Sequence, residues 1–403
     1  MPASTEVLTT TAPRRGFGLY VHWPFCVSKC PYCDFNSHVR ERVDAARWQA
    51  AYLAELDHYA DAGIGAGEMV TSVFFGGGTP SLMPPETAAA ILDAAQRRWR
   101  FADDVEITLE ANPNSAEAGK FAAFAAAGIN RLSIGVQSFD ADVLKFLGRA
   151  HDAGEARTAI AAAAQAVPRY SFDLIYARPG QTAESWRAEL GDALQLAGDH
   201  LSLYTLTIEP NTGFAGAVAR GVLQPMPADD QAALYDLTQE IMVQAGMPAY
   251  EISNHARPAS EGRPGGESRH NLVYWRSGDY LGLGPGAHAR IRRGPAWSAV
   301  QNRRKPEAWL EQVEAAGHGR EAETPVSGRE RAEEALMMGL RLSEGVWTEN
   351  FRAACGLDLD TVAPVARTAP LEAAGLLMRS PERLVATAEG RAVLDGLLAR
   401  LLA

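Results

Sequence analysis

The chain has 403 residues, 47% of them hydrophobic and 22% charged, with a formal net charge of −11. That is globular composition, with length for one large domain and a smaller one. The acidic balance argues against a general binder of nucleic acid or of anionic membranes, and no apolar run approaches the roughly 18–20 residues of a membrane span.

The first stretch, MPASTEVLTTTAPRRGFG, has no apolar h-region, so no secretory signal is expected. Residues 1–15 read as a disordered tail. From residue 17 to about 210 one pattern recurs. A short β-rich run ends in turn residues, and a helical stretch follows. The runs are GLYVHWP (18–24), SVFFGGGTP (72–80), EITLEANP (106–113), RLSIGVQS (131–138), SFDLIYARPG (171–180) and LSLYTLTIEP (201–210). Between them, AARWQAAYLAELDHY (45–59) sets Trp48, Tyr52 and Leu56 on one helical face. Strand-plus-helix units of this size predict a parallel sheet with crossover helices. Six units fall short of a closed (β/α) barrel, so the fold class is α/β, a partial (β/α)6 barrel over 16–250, with a doubly wound sheet as the alternative. In such folds the C-terminal strand ends carry the site. Glu110, Gln137 and Asp173 are polar residues in otherwise apolar strands and loops, which punctuation by Gly and Pro does not explain.

QAALYDLTQEIMVQAGM (231–247) predicts a further helix. Residues 251–300 are rich in Gly and Pro and hold RHNLVYW (269–275). Residues 301–403 are dominated by charged helices around RLVATAEG, which predicts a small, mainly helical, winged-helix-like domain. The acidic balance makes DNA a poor partner for it.

Three of the four cysteines, Cys26, Cys30 and Cys33, fall within CVSKCPYC (26–33). Structural zinc needs four protein ligands. His38 offers a fourth, but at poor spacing and without a second knuckle. A disulfide would leave an odd thiol in a reducing compartment. Iron–sulfur ligation suits closely spaced thiolates. A [4Fe–4S] cube on three thiolates leaves one iron open. Cys355, in FRAACGLD, reads as a buried small hydrophobe.

The C-x3-C-x2-C spacing resembles the signature of the radical S-adenosylmethionine (SAM) superfamily. The resemblance implies the partial barrel, a cluster on Cys26, Cys30 and Cys33, and SAM chelating the fourth iron for cleavage to a 5′-deoxyadenosyl radical. It extends over nearly the whole chain to the oxygen-independent coproporphyrinogen III oxidase branch, through YVHWPFC, GGGTPS, LEANP, SIGVQSF, LGRAH, DLIY, PGQT, YEISN and RHNLVYW. By position, it implies that Tyr20 lies near the cluster and SAM and that Gly77, Gly78 and Thr79 line SAM. Glu110 would bond SAM amino or ribose groups. Gln137, Arg149 and Asp173 fall where the oxidase contacts a second SAM, with Thr207 a weaker match. The alternatives are a helix-end charge for Arg149 and a capping role for Asp173.

Two departures weigh against the oxidase activity. The oxidase pattern continues C-x-C, but here Phe35 follows Cys33-Asp34. Only 25 residues precede Cys26, fewer than in the oxidase. Both features resemble the heme-chaperone members of the branch, which carry an H-N-x-x-Y-W motif matched by His270, Asn271, Tyr274 and Trp275. Neutral imidazole ligates heme iron, and Tyr and Trp offer flat faces to a porphyrin. A packed strand whose histidine caps a turn is the competing account, and His22, His151, His255 and His288 are rival ligands. The resemblance therefore implies a cytoplasmic heme chaperone with a [4Fe–4S] cluster, SAM and heme. Its partner would be a heme-accepting protein such as a respiratory hemoprotein. The alternative is a porphyrinogen-decarboxylating enzyme, and a third option is a SAM-binding scaffold without a tetrapyrrole.

Overall fold

A computed structural model of the chain describes residues 12–261, 263–294 and 296–403. Most of the expected tail, residues 1–11, lies outside the described residues.

The six β-rich runs form β1 (Phe17–Trp23), β2 (Met69–Gly77), β3 (Arg100–Ala111), β4 (Arg131–Gln137), β5 (Arg169–Tyr176) and β6 (His200–Thr205). They pair in parallel in chain order. The crossovers include α1 (Ala45–Asp61), α2 (Pro85–Arg98), α3 (Phe121–Ala126), α4 (Ala153–Ala166) and α5 (Ala183–Leu196). Each buries one stripe against the sheet, as Trp48, Tyr52 and Leu56 do in α1. The helix expected at 231–247 is α6 (Ala228–Gln244).

The sheet is larger than six strands. β7 (Asn254–Ala256) closes the β6 edge antiparallel. β8 (Asp279–Leu283) lies parallel to β1 on its other side. β9 (His288–Arg293), β10 (Ala296–Asn302) and β11 (Arg320–Val326) continue as an antiparallel meander. The order is β11-β10-β9-β8-β1-β2-β3-β4-β5-β6-β7, an open sheet. The expected break at residue 301 therefore falls inside β10. The Gly- and Pro-rich composition of 251–300 marks turns between strands. A second hydrophobic core begins at Ala332 and gathers Leu336, Phe351, Leu371, Leu384 and Leu401. It surrounds a three-stranded antiparallel sheet of Val346–Trp347, Leu377–Arg379 and Arg383–Ala386. Cys355 is buried there and donates to Phe351 O at 3.0 Å.

One buried carboxylate fastens α1 to the meander. Glu55 accepts from Gly284 N–H (2.8 Å), Gly319 N–H (2.8 Å), Asn302 Nδ2 (3.0 Å) and Trp309 Nε1 (3.1 Å). Burial pushes its carboxyl up to about 7 against the pull of these donors. On the inner face of the sheet, Glu106 bonds Arg169 Nη1 at 2.7 Å and takes the His270 N–H at 3.3 Å. RHNLVYW, for which a strand had been one expectation, is a helix, α7 (Arg269–Trp275), capped by Ser268. It is docked on that inner face.

Candidate functional site: two adjoining cavities

The strand ends open into a cavity of about 470 Å³ that holds all three clustered cysteines. Cys26 Sγ accepts from Thr79 Oγ1 at 3.4 Å, and Cys30 Sγ from Arg149 Nη1 at 3.4 Å. Cys33 Sγ lies 3.8 Å from Ser37 Oγ. Burial pushes the Cys26 and Cys33 thiols up, so metal ligation there must displace protons. Among the described residues no three His, Cys, Asp or Glu side chains converge on one metal ion. His38 is held by Asn36 Oδ1 at 3.2 Å. Three soft donors spread around one cavity suit a cluster of several irons better than a single zinc ion.

The same cavity is lined by Gly77, Gly78, Thr79, Glu110, Gln137, Arg149, Asp173 and Thr207. Gly77 has φ +118°, and a β-carbon there would sit 2.6 Å from the His22 ring. Only glycine fits. The N–H groups of residues 77, 78 and 79 are spent on Glu110 Oε2 (3.1 Å), Trp23 O (2.7 Å) and Phe25 O (2.8 Å). The turn's N–H groups are therefore not free for a ligand; Thr79 O accepts from Leu82 N–H at 3.0 Å, and the Gly78 carbonyl is the one that would suit an amino group. Gln137 adopts φ +71° at the end of β4, a costly conformation for a non-glycine residue, and its side chain lines the cavity. Arg149 lines the cavity together with Gln137 and Asp173. It follows the C-terminal turn of the helix Ala141–Phe146, its N–H on Leu144 O at 2.9 Å, and its guanidinium is bound to Cys30 Sγ, Asn112 Oδ1 (2.6 Å) and Gly135 O (2.8 Å).

Glu110 and Asp173 face one another electrostatically. Burial, then the Asp173 charge, pushes Glu110 up to about 8. Burial pushes Asp173 up to about 6. In the ligand-free chain Glu110 thus holds its proton from the unfolded range near 4.5 to about 8. The folded state binds more protons in that window, so stability falls as pH rises through it. Glu110→Gln is expected to match wild type at pH 4 and to exceed it by roughly several kcal/mol above pH 8, read by urea unfolding at the two pH values. An equal pH dependence in both proteins would refute the assignment.

A second cavity of about 530 Å³ adjoins the first. Phe35, Gly77 and Glu110 line both, and Phe35 is 59% exposed. Aromatic side chains wall the second cavity: Tyr20, Phe35, Tyr274, Trp275 and Tyr280, with His22, His288, Arg290, Arg304 and Met338. Tyr20, expected on the SAM side, lies here and donates toward His22 Nδ1 at 2.9 Å. Of the H-N-x-x-Y-W residues, only Tyr274 and Trp275 line the cavity. His270 is 1% exposed. Its Nδ1 bonds Ser72 Oγ at 2.9 Å and its Nε2 bonds Tyr274 OH at 2.7 Å. Asn271 lies 3.5 Å from Tyr250 OH. The reason is helical spacing: residues i and i+4 share a face, so Tyr274 caps the ring of His270. Gly18 leaves room for it, since a β-carbon there would come within 3.3 Å of the imidazole. His270 is not an open iron ligand in this conformation. His151, bonded to Val136 O at 3.0 Å, lines the thiol cavity, and His255 is buried in β7; neither reaches the aromatic one.

Residues 20–192 match the radical SAM superfamily and residues 326–393 the HemN C-terminal domain. The heme chaperone HemW of Escherichia coli is 37% identical over 391 residues, 96% of this chain and 98% of that one. The chain belongs to the HemW family of radical SAM proteins. The Mycobacterium tuberculosis HemW is 36% identical over 97% of this chain and 96% of its own length. A Bos taurus relative in the family, radical S-adenosyl methionine domain-containing protein 1, mitochondrial, is 40% identical over 95% and 87%. The coproporphyrinogen III oxidase HemN of Escherichia coli shares the fold, with TM-score 0.78, 24% identity and coverage of 97% and 91%. In this HemW-family chain the second core, Ala332 to Leu401, and the HemN C-terminal match, residues 326–393, largely overlap. Tyr280, Arg290, Arg304 and Met338 escaped sequence reading. They come from four separate segments, and only the fold brings them together.

Proposed function

We propose that this chain is a heme chaperone: it binds heme as cargo and passes it to an acceptor protein. The carrying observation is an aromatic-walled cavity separated only by Phe35, Gly77 and Glu110 from a cavity lined by three thiols. Phe35 stands where the oxidase pattern has a further cysteine, so it adds a flat apolar wall in place of a ligand. Tyr274 and Trp275 offer faces to a porphyrin. Relatives named heme chaperone support the same reading.

Cys26, Cys30 and Cys33 would hold a [4Fe–4S] cluster, and SAM would sit against the Gly77–Thr79 turn with Glu110, Gln137 and Asp173. When bound, that pair supplies reducing chemistry at the cavity floor. Arg149 donates to Cys30 and Thr79 to Cys26, and hydrogen bonds to sulfur tune a cluster's potential. Glu110 gains a negative charge to set against a cationic ligand only by releasing its proton, so SAM should bind more tightly as pH rises toward 8. Free clustered thiols suit a reducing compartment, in keeping with a cytoplasmic reading. The acceptor is read as a respiratory hemoprotein. Among the described residues no helix is long and apolar enough to cross a membrane.

The full SAM-side lining keeps a decarboxylating enzyme as the second reading. The chaperone reading is tested by loading the cluster-reconstituted chain with heme and mixing it with an apo-hemoprotein. Heme should leave the chain and appear in the acceptor faster than from free heme's slow exchange with albumin. Failure to bind heme at all would refute it.

A further inference from the structure

Three histidines stand at or behind the aromatic cavity: His22, His270 and His288. His22 is committed through Nδ1 to Tyr20 OH (2.9 Å) and through Nε2 to Asn36 O (2.9 Å). His270 is committed to Ser72 and Tyr274 and is buried. His288 differs. It opens β9, is exposed, and lines the cavity. Among the described residues neither of its ring nitrogens makes a hydrogen bond. Burial, Arg290 and Arg304 lower its imidazole below the ordinary value, so the ring is neutral at pH 7 with a lone pair to give.

The cations around it are unequal. Arg290 is paired with Glu334 at 2.7 Å and Arg331 with the same carboxylate at 3.1 Å. Glu334 is thereby neutralised. Arg304 lines the cavity, is exposed, and makes no ion pair among the described residues. Its backbone carbonyl is held by Asn36 Nδ2 at 2.9 Å. Asn36 also holds Pro285 O at 2.9 Å, three residues before His288. One side chain from the cysteine loop thus braces both groups.

We propose that His288 is the axial ligand of the heme iron in this cavity and that Arg304 receives a propionate. The inference rests on the heme-chaperone reading above and names its site. One nitrogen–iron bond forms, and no proton is released because the imidazole is neutral. The volume lies within the range of small-ligand and cofactor sites, and Tyr274, Trp275 and Met338 provide apolar wall.

The test is a titration of hemin into the full, cluster-reconstituted chain, with Soret absorption and electron paramagnetic resonance as readouts. Wild type, His288→Ala, His270→Ala and Arg304→Gln are compared at equal iron–sulfur content. His288→Ala should weaken heme about tenfold or more and lose the nitrogen-ligated spectrum, and free imidazole should restore that spectrum. Arg304→Gln should weaken binding with the spectrum kept, and His270→Ala should keep the wild-type spectrum. A wild-type spectrum and affinity in His288→Ala would overturn the ligand assignment while leaving the chaperone reading standing. No heme binding by wild type would overturn both. Unchanged unfolding midpoints would separate ligand loss from misfolding, since His288 is exposed at a strand start.

Discussion

Serine at Cys30 is expected to abolish cluster assembly: iron and sulfide should fall from about four per chain to near zero after anaerobic reconstitution. The three thiols are the proposed ligand set: all three line this cavity, and His38, the other candidate, is turned to Asn36. Loss of one thiolate leaves two, too few to hold a cube with an open iron. The fold should survive. Cys30 is part-exposed in a loop, and neither hydrophobic core includes it. Thermal unfolding of the cluster-free variant should therefore match that of cluster-free wild type. Full iron content in the serine variant would mean that the cluster, if any, is built elsewhere.

The largest stability effect is expected at Glu55→Ala. Removing that carboxylate strands donors from Gly284, Gly319, Asn302 and Trp309 in a dry interior. Asn302 keeps its bond to Gly284 O, but the two backbone N–H groups and the indole have no replacement. Unpaired buried donors cost about 1–3 kcal/mol each, and breaking a buried charged network about 3–5 kcal/mol. A loss of about 3–5 kcal/mol is expected in urea unfolding, with a milder loss for Glu55→Gln. The consequence reaches the site. Gly284 begins the Gly-Pro-Gly turn that leads into His288, so heme affinity should weaken in the same variant under conditions where it is still folded. A loss below 1 kcal/mol would show that the meander is not held to α1 through this residue.

The repeating strands of 17–210 were legible because each is an apolar run closed by turn residues, a local signal. The cysteine spacing was equally local, and Glu110, Gln137 and Asp173 stood out as polar residues among apolar neighbours. What composition hid was pairing partners. Asp279–Leu283 lies in the Gly- and Pro-rich stretch, yet it extends the parallel sheet beside β1, because the turns around it, not the strand, dominate the composition. RHNLVYW has aromatic and β-branched content that suits a strand, but the Ser268 cap and the buried seat beneath Gly18 make it a helix. That switch turned His270 inward and left His288, a rival ligand in the sequence, as the open imidazole. The bond from Arg149 to Cys30 was not legible, because nothing local joins residues 119 positions apart.

The central claim is that a radical SAM frame here serves heme handling and not porphyrinogen decarboxylation. Its most direct test is one anaerobic preparation, cluster-reconstituted with SAM and reductant, divided between coproporphyrinogen III and heme. The account predicts heme bound at one per chain and no decarboxylated product from the porphyrinogen. Product formed over many turnovers, with no saturable heme binding, would contradict it and make the chain an oxidase despite Phe35.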